Sequence, residues 1–267
     1  MKSFLRVGLM LFLSAEYYFC ASEKYENTTS RVIERRTIGG RLAEKGEFPF
    51  LVAIYKNRTF RGAFSLITTR TLIGAAHIVE EYTVKDYYGR IGNVDKQAGK
   101  RVLFRRRIIH GRYDSKTLHN DIALLILARS INNISPIALV GKNLRFTKGS
   151  ATFVGWGRTG IKKDDRTDLL RVAKVNFVDP KYVGRNFDYE LTYKEITTMS
   201  SRVKGMKGDS GSPLIKRDAS KRPVLIGILS SGGDNIREPD VYMSISFYHH
   251  FIKTHSVGRL TYLDVQN

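Results

Sequence analysis

Three side chains in this sequence could together turn a hydroxyl into a nucleophile: His77 in "IGAAHI" (73–78), Asp121 in "HNDIALLIL" (119–127) and Ser210 in "MKGDSGSPL" (206–214). A serine hydroxyl attacks poorly near neutral pH until an imidazole takes its proton. The imidazole in turn needs a carboxylate to fix its tautomer and stabilise its charge. Each residue alone is weak evidence. A histidine on a small-residue turn is more often structural, and an aspartate before an apolar run is commonly a solvated strand start. The Gly-Asp-Ser-Gly run is itself a good turn, because glycine tolerates positive φ and Asp and Ser satisfy nearby backbone groups.

The segments that would position these residues read as strands. Short apolar or alternating runs recur along the chain: "FPFLVAIY" (48–55), "FSLITTRTLIGAAH" (64–77), "KRVLFRRRIIH" (100–110), "DIALLIL" (121–127), "ATFVGWG" (151–157), "LLRVAKVNFV" (169–178), "PVLIGILSS" (223–231) and "DVYMSISF" (240–247). Runs of this length, rich in Val, Ile, Phe and Tyr and separated by Gly, Asp, Asn and Lys, predict antiparallel strands in an all-β protein. One helix is expected, from about Ser246 to Thr254, where Phe247, Tyr248, Phe251 and Ile252 could share a face. The polar stretch 129–150 is the best connection between two β units.

With 267 residues and 42% apolar content the chain can bury a real core, which excludes disorder. Lys and Arg number 45 against 25 acidic residues, a formal charge of +20 that favours a polyanion, an acidic membrane or an acidic substrate. The tightest basic run, "KRVLFRRR" (100–107), reads either as the exposed face of a strand or as a site for a polyanion, a sulfated glycosaminoglycan or a nucleic acid. Nothing points to specific nucleic-acid binding. The first residues begin with Lys2 and continue into an apolar stretch from about Val7 to Ala15, too short to span a bilayer and suited to a secretory leader over 1–22. Asn-x-Ser/Thr triplets at Asn27, Asn57 and Asn133 agree with a secreted, extracellular glycoprotein. The single cysteine, Cys20, falls inside that leader, so the remainder would carry neither a disulfide nor thiol chemistry.

Read with "IGG" (38–40), "FVGWG" (153–157) and "EPDVYMSI" (238–245), the three chemical stretches resemble the trypsin-like (chymotrypsin-family) serine endopeptidases, in order, from about 37 to 255. The resemblance implies two packed six-stranded antiparallel β-barrels, one over about 37–140 and one over about 141–267, with a cleft between them and a C-terminal helix. It implies Ser210 as nucleophile, His77 as general base and acid, and Asp121 as the group that orients His77. The N–H groups of Gly208 and Ser210 would form the oxyanion hole, and Ser230 and Gly232 would hydrogen-bond the backbone of an extended substrate. It further implies a zymogen with propeptide 23–36, cut at Arg36-Thr37 by an activating protease, whose new Thr37 ammonium would pair with Asp209. The expected product is a secreted monomeric endopeptidase acting on a protein or peptide substrate with no cofactor or metal. The alternative is a weak or inactive homologue that acts by binding.

Several positions depart from the family. Thr37 replaces the usual Ile or Val, and its hydroxyl would need a partner in an apolar pocket. Gly62 and Ile78 stand where a cysteine pair usually brackets the histidine, and Met206 where one precedes the serine. Lys204 stands six residues before the nucleophile, where trypsin itself has an acid, and Asp240 replaces a glycine lining the same pocket. If both face inward they would pair and shorten the pocket, which suits small or polar side chains; a free Lys204 would suit an acidic one, and Lys204 could also be a surface residue. Lys207 adds positive charge at the rim. Ser231 stands where the family often has tryptophan, which would open the neighbouring substrate sites, and Ser212 replaces a glycine.

Overall fold

Strands form where β-branched and aromatic side chains can pack on one or both faces of a pleated sheet. The computed structural model describes residues 40–159, 165, 167–187, 190–200, 204–232 and 238–265. The expected leader and propeptide, with Asn27, Arg36 and Thr37, lie outside the described residues.

After the short β1 (Arg41–Leu42), six strands close on themselves: β2 (Leu51–Lys56), β3 (Thr59–Leu66), β4 (Thr71–Gly74), β5 (Tyr87–Ile91), β6 (Lys100–Ile109) and β7 (Ala123–Leu127), paired in the order β2-β3-β4-β7-β6-β5. β2 and β3 meet at Asn57 and Arg58, both at positive φ, the backbone a two-residue hairpin needs. Asn57 is exposed at this tip, and Asn133 is also exposed. β5 alternates buried Tyr87, Gly89 and Ile91 with half-buried neighbours, whereas every residue of β7 is buried. Phe64, Leu66, Leu72, Ile73 and Leu124 are fully enclosed, and burial of such a side chain stabilises by about 1.5–3 kcal/mol.

A second closed set follows. β8 (Ala138–Val140) precedes β9 (Ser150–Gly155) and β10 (Arg171–Val178), then α1 (Pro180–Asn186), β11 (Glu195–Met199), β12 (Pro213–Arg217), β13 (Pro223–Gly232) and β14 (Asp240–Ser244). The order β12-β9-β10-β11-β14-β13 closes because β13 also pairs β12, and every pairing in the ring is antiparallel. β8 adds in parallel to β13, β1 pairs β10, and α2 (His249–His255) and β15 (Tyr262–Leu263) complete the chain. The architecture is the all-β fold that the strand pattern predicts, in the two-barrel arrangement with a C-terminal helix that the family resemblance implies.

Three local expectations need correction. α1 is a second helix, started by Pro180 at its first position and by Asp179, whose side chain accepts from the Lys181 N–H. The stretch 129–150 contains the buried β8 as well as connecting loop. Phe251 and Ile252 are buried in the C-terminal helix and Tyr248 is buried just before it, because the helix begins at His249; Phe247 also stays outside it, exposed, with its ring 5.2 Å from that of Tyr193.

Candidate active site

His77 sits on a single 3-10 turn, Ala76–Ile78, directly after β4. Ala75 and Ala76 are fully buried, so small side chains let this turn pack against the barrel while the imidazole stays partly exposed. Asp121 arrives just before β7, from a loop in which Leu118 and Asn120 both hold positive φ. Its side chain is wholly buried, and three donors satisfy it. Oδ1 accepts the His77 backbone N–H at 2.9 Å, and Oδ2 faces His77 Nδ1 at 2.7 Å and accepts the Ser230 hydroxyl at 2.6 Å. A carboxylate only accepts, so Nδ1 carries the proton and Nε2 presents a lone pair, the tautomer a general base requires.

Ser230 reaches Asp121 because of a bulge. Leu229 pairs Tyr242 and Ser231 pairs Val241, leaving Ser230 as the extra residue between them. A bulge re-aims a side chain that regular pairing would send elsewhere. The sequence marks Ser230 only for its backbone; its hydroxyl on Asp121 is a role that strand register alone creates.

Ser210 lies in a tight turn in which the Asp209 N–H donates to the Met206 carbonyl at 2.8 Å and the Ser212 N–H to the Asp209 carbonyl at 2.9 Å. Gly208 and Gly211 hold φ of 101° and 74°. At Gly211 a β-carbon would come within 2.1 Å of the Ala63 carbonyl oxygen, so only glycine fits. The turn is pinned to the first barrel by the Ala63 N–H, which donates to the Ser210 carbonyl at 2.9 Å. A β-carbon on Gly62 would lie 2.5 Å from that same carbonyl oxygen and 2.8 Å from Ile78 Cδ1. The two positions that replace the expected cysteine pair are therefore neighbours, and the isoleucine side chain fills the space beside the glycine. Among the described residues no hydrogen bond joins Ser210 Oγ to His77, and the N–H groups of Gly208 and Ser210 have no acceptor.

Asp209 points away from the serine into a cradle of two glycines. Oδ1 accepts the Gly157 N–H at 2.7 Å and Oδ2 the Met206 N–H at 2.9 Å. A β-carbon at Gly155 or Gly157 would fall within about 2 Å of the carboxylate oxygens. Burial pushes the Asp209 carboxyl up to about 7, against the two N–H bonds that pull it down.

Lys204 and Asp240 are both buried and face each other. The Lys204 ammonium donates to the Glu238 carbonyl at 3.0 Å and stands 3.4 Å from Asp240 Oδ1, while Oδ2 accepts the Gly205 N–H at 2.8 Å. The contact to Oδ1 is an ion pair rather than a well-aligned hydrogen bond, since that oxygen has no hydrogen-bond donor. The carboxylate lies 2.5 Å from where a β-carbon of Gly232 would be, so it occupies the space between Gly205 and Gly232. Burial raises the Asp240 carboxyl to about 6, with Lys204 opposing the rise.

Comparison with known proteins agrees with these motifs. The Trypsin family model matches residues 37–252. The chain is 29% identical over 229 residues to transmembrane protease serine 11C of Mus musculus, an alignment covering 81% of this chain and 53%, about half, of that protein. It is 30% identical over 223 residues to a chymotrypsin of Phaedon cochleariae, covering 79% of this chain and 77% of the other. It is 26% identical over 243 residues to the venom peptide isomerase heavy chain of Agelenopsis aperta, covering 82% and 100%.

Proposed function

This chain belongs to the trypsin family of serine proteases, and on that premise we propose that it is a secreted serine endopeptidase, made as a zymogen and working through His77, Asp121 and Ser210 once another protease has cut Arg36-Thr37. Residues 1–22 would be the leader, 23–36 the propeptide and 37–267 the peptidase domain, acting as a monomer. The observation that carries the reading is the His77–Asp121 contact at 2.7 Å, which supports an imidazole with Nε2 free to accept a proton.

In the first step Nε2 takes the Ser210 proton as Oγ bonds to the scissile carbonyl carbon and an electron pair moves onto the carbonyl oxygen. That oxyanion is met by the Gly208 and Ser210 N–H groups, which are without intramolecular acceptors among the described residues. His77 then gives the proton to the leaving amine as the C–N bond breaks, leaving an acyl group on Ser210. Water, deprotonated by His77, attacks the ester; the proton returns to Ser210 Oγ and the acid product leaves. Asp121 orients the imidazole throughout, its own oxygens held by the Ser230 hydroxyl and the His77 N–H.

Activation would work through Asp209. A Thr37 ammonium would supply the cation that its buried carboxylate lacks, since either charge alone is costly away from water. Substrate would lie extended along Ser230–Gly232. Because the Lys204–Asp240 pair fills the space beside Gly232, the residue at the cleaved bond would be small or polar. The remaining partner is a polyanion such as a sulfated glycosaminoglycan, on the exposed arginines of β6.

The test is covalent labelling. Protein cut at Arg36 and treated with a fluorophosphonate probe should be labelled at Ser210; Ser210→Ala should abolish the label and His77→Ala slow it by several orders of magnitude. Correctly cut, folded protein that takes no label would overturn the reading and leave the binding-protein alternative.

A further inference from the structure

Between the loop that leads to Asp121 and the segment that enters β11 lies a cavity of about 330 Å³, lined by Leu118, His119, Leu191, Glu195, Ser231 and Met243 among others. It opens beside Ser230, whose hydroxyl is bound to Asp121, so it adjoins the catalytic groups. Leu118, Leu191 and Met243 make its walls apolar. Glu195 breaks that pattern: it is 6% exposed, and its Oε2 accepts both the Thr192 N–H and the Thr192 hydroxyl at 2.7 Å. Among the described residues no donor reaches Oε1, and no Lys, Arg or His forms an ion pair with this carboxylate. Lys194, its neighbour in sequence, is engaged elsewhere, donating to Asn120 Oδ1 at 3.4 Å and lying 5.3 Å from the centre of the Phe247 ring. At the rim, exposed Lys116 and Glu190 contribute one charge of each sign.

Carboxylates this deeply buried normally meet a cation, because the low-dielectric surroundings penalise an isolated charge. We propose that this cavity takes an arginine or lysine side chain of the substrate, its aliphatic stem against Leu118, Leu191 and Met243 and its charged head on Glu195. The inference rests on the peptidase reading and adds a substrate class to it. With Lys204 and Asp240 occupying the space beside Gly232, the discriminating contact moves along the substrate to the mouth at Ser231, where a serine leaves the entrance open. An extended peptide advances about 3.3 Å per residue, so the basic side chain belongs a few positions away from the cleaved bond.

Blocked alanine peptides in which one position at a time carries arginine, lysine, norleucine or glutamate test this. Two quantities are measured: kcat/KM with protein cut at Arg36, and binding to the cut Ser210→Ala protein by calorimetry. At one position removed from the cleaved bond, arginine or lysine should exceed norleucine by at least about tenfold in both, the size of a charge-assisted contact worth about 1.4 kcal/mol. Glu195→Gln, whose amide oxygen can still accept from Thr192, should erase that ratio. Ser231→Trp should erase it too, by blocking the mouth without touching the carboxylate. Norleucine equal or superior to arginine at every position, or an arginine preference that survives both variants, would overturn the proposal. If the cut protein takes no fluorophosphonate while Ser210→Ala protein still selects arginine through Glu195, the peptidase reading falls and the pocket stands.

Discussion

Asp240 is held where two glycines leave room for a carboxylate, and it is the partner that keeps Lys204 from standing alone. Asp240→Gly should therefore cost about 3–5 kcal/mol in urea unfolding, because the buried ammonium loses its counter-charge. The same variant should raise kcat/KM for peptides with Asp or Glu at the cleaved residue relative to alanine, since Lys204 becomes available to them. An unchanged preference for alanine would mean that Lys204 does not face the substrate. At this scale the sequence was informative wherever type and local order suffice: His77, Asp121 and Ser210 lie in short strings that mark them as candidates, and a Lys204–Asp240 pair was one of three arrangements it left open. It was silent on Glu195 and on the Ser230 hydroxyl. Neither can be read locally, because one depends on a cavity assembled from distant loops and the other on a single extra residue in the β13–β14 register.

β6 presents much of its length to solvent, with Arg101, Leu103, Arg105 and Arg106 all outward and Phe104 buried. The pairing with β7 slips between Phe104 and Arg106, and a bulge of this kind bends a strand, here bringing Arg105 and Arg106 outward together. Protein passed over immobilised heparin should bind at low salt and elute earlier when Arg101, Arg105 and Arg106 are all changed to Ala, as expected of contacts driven by counterion release. Elution at the same salt as the parent would move the polyanion site elsewhere. Strands such as β2, β7 and β10 were legible because their apolar runs are long. β5 ("YYGRI") carries a glycine, β11 ("EITTM") is half polar, and β12 ("PLIKR") is short and starts with proline, so pairing partners rather than composition decide these three. α1 ("PKYVGRN") was hidden for the converse reason: its glycine and valine weaken helix propensity, and its start depends on the cap from Asp179.

The described residues hold together without a cysteine, and the contacts that replace cross-links are dispersed. Ile78 packs at Gly62, the Trp156 indole N–H donates to the Val94 carbonyl at 2.8 Å, and Lys96 pairs with Asp168 at 2.9 Å. The buried Asp209 carboxyl gives the whole fold a further property. Held near 7 when folded and near 3.8 when unfolded, it makes the native chain keep a proton that the denatured chain releases across that interval. Its contribution is thus most favourable in acid and is lost as pH rises from about 4 to about 7, by on the order of 4 kcal/mol. In the uncut protein, the stability difference between parent and Asp209→Asn should shift against the parent between pH 4.5 and pH 7.5; a difference that stays flat would mean that the carboxylate is already ionised. Cleavage at Arg36 should reverse the shift, because the new ammonium favours the ionised form. Activation on this reading exchanges a bound proton for an internal cation, so the buried carboxyl costs the uncut chain least in acid and being cut relieves it most at neutral pH.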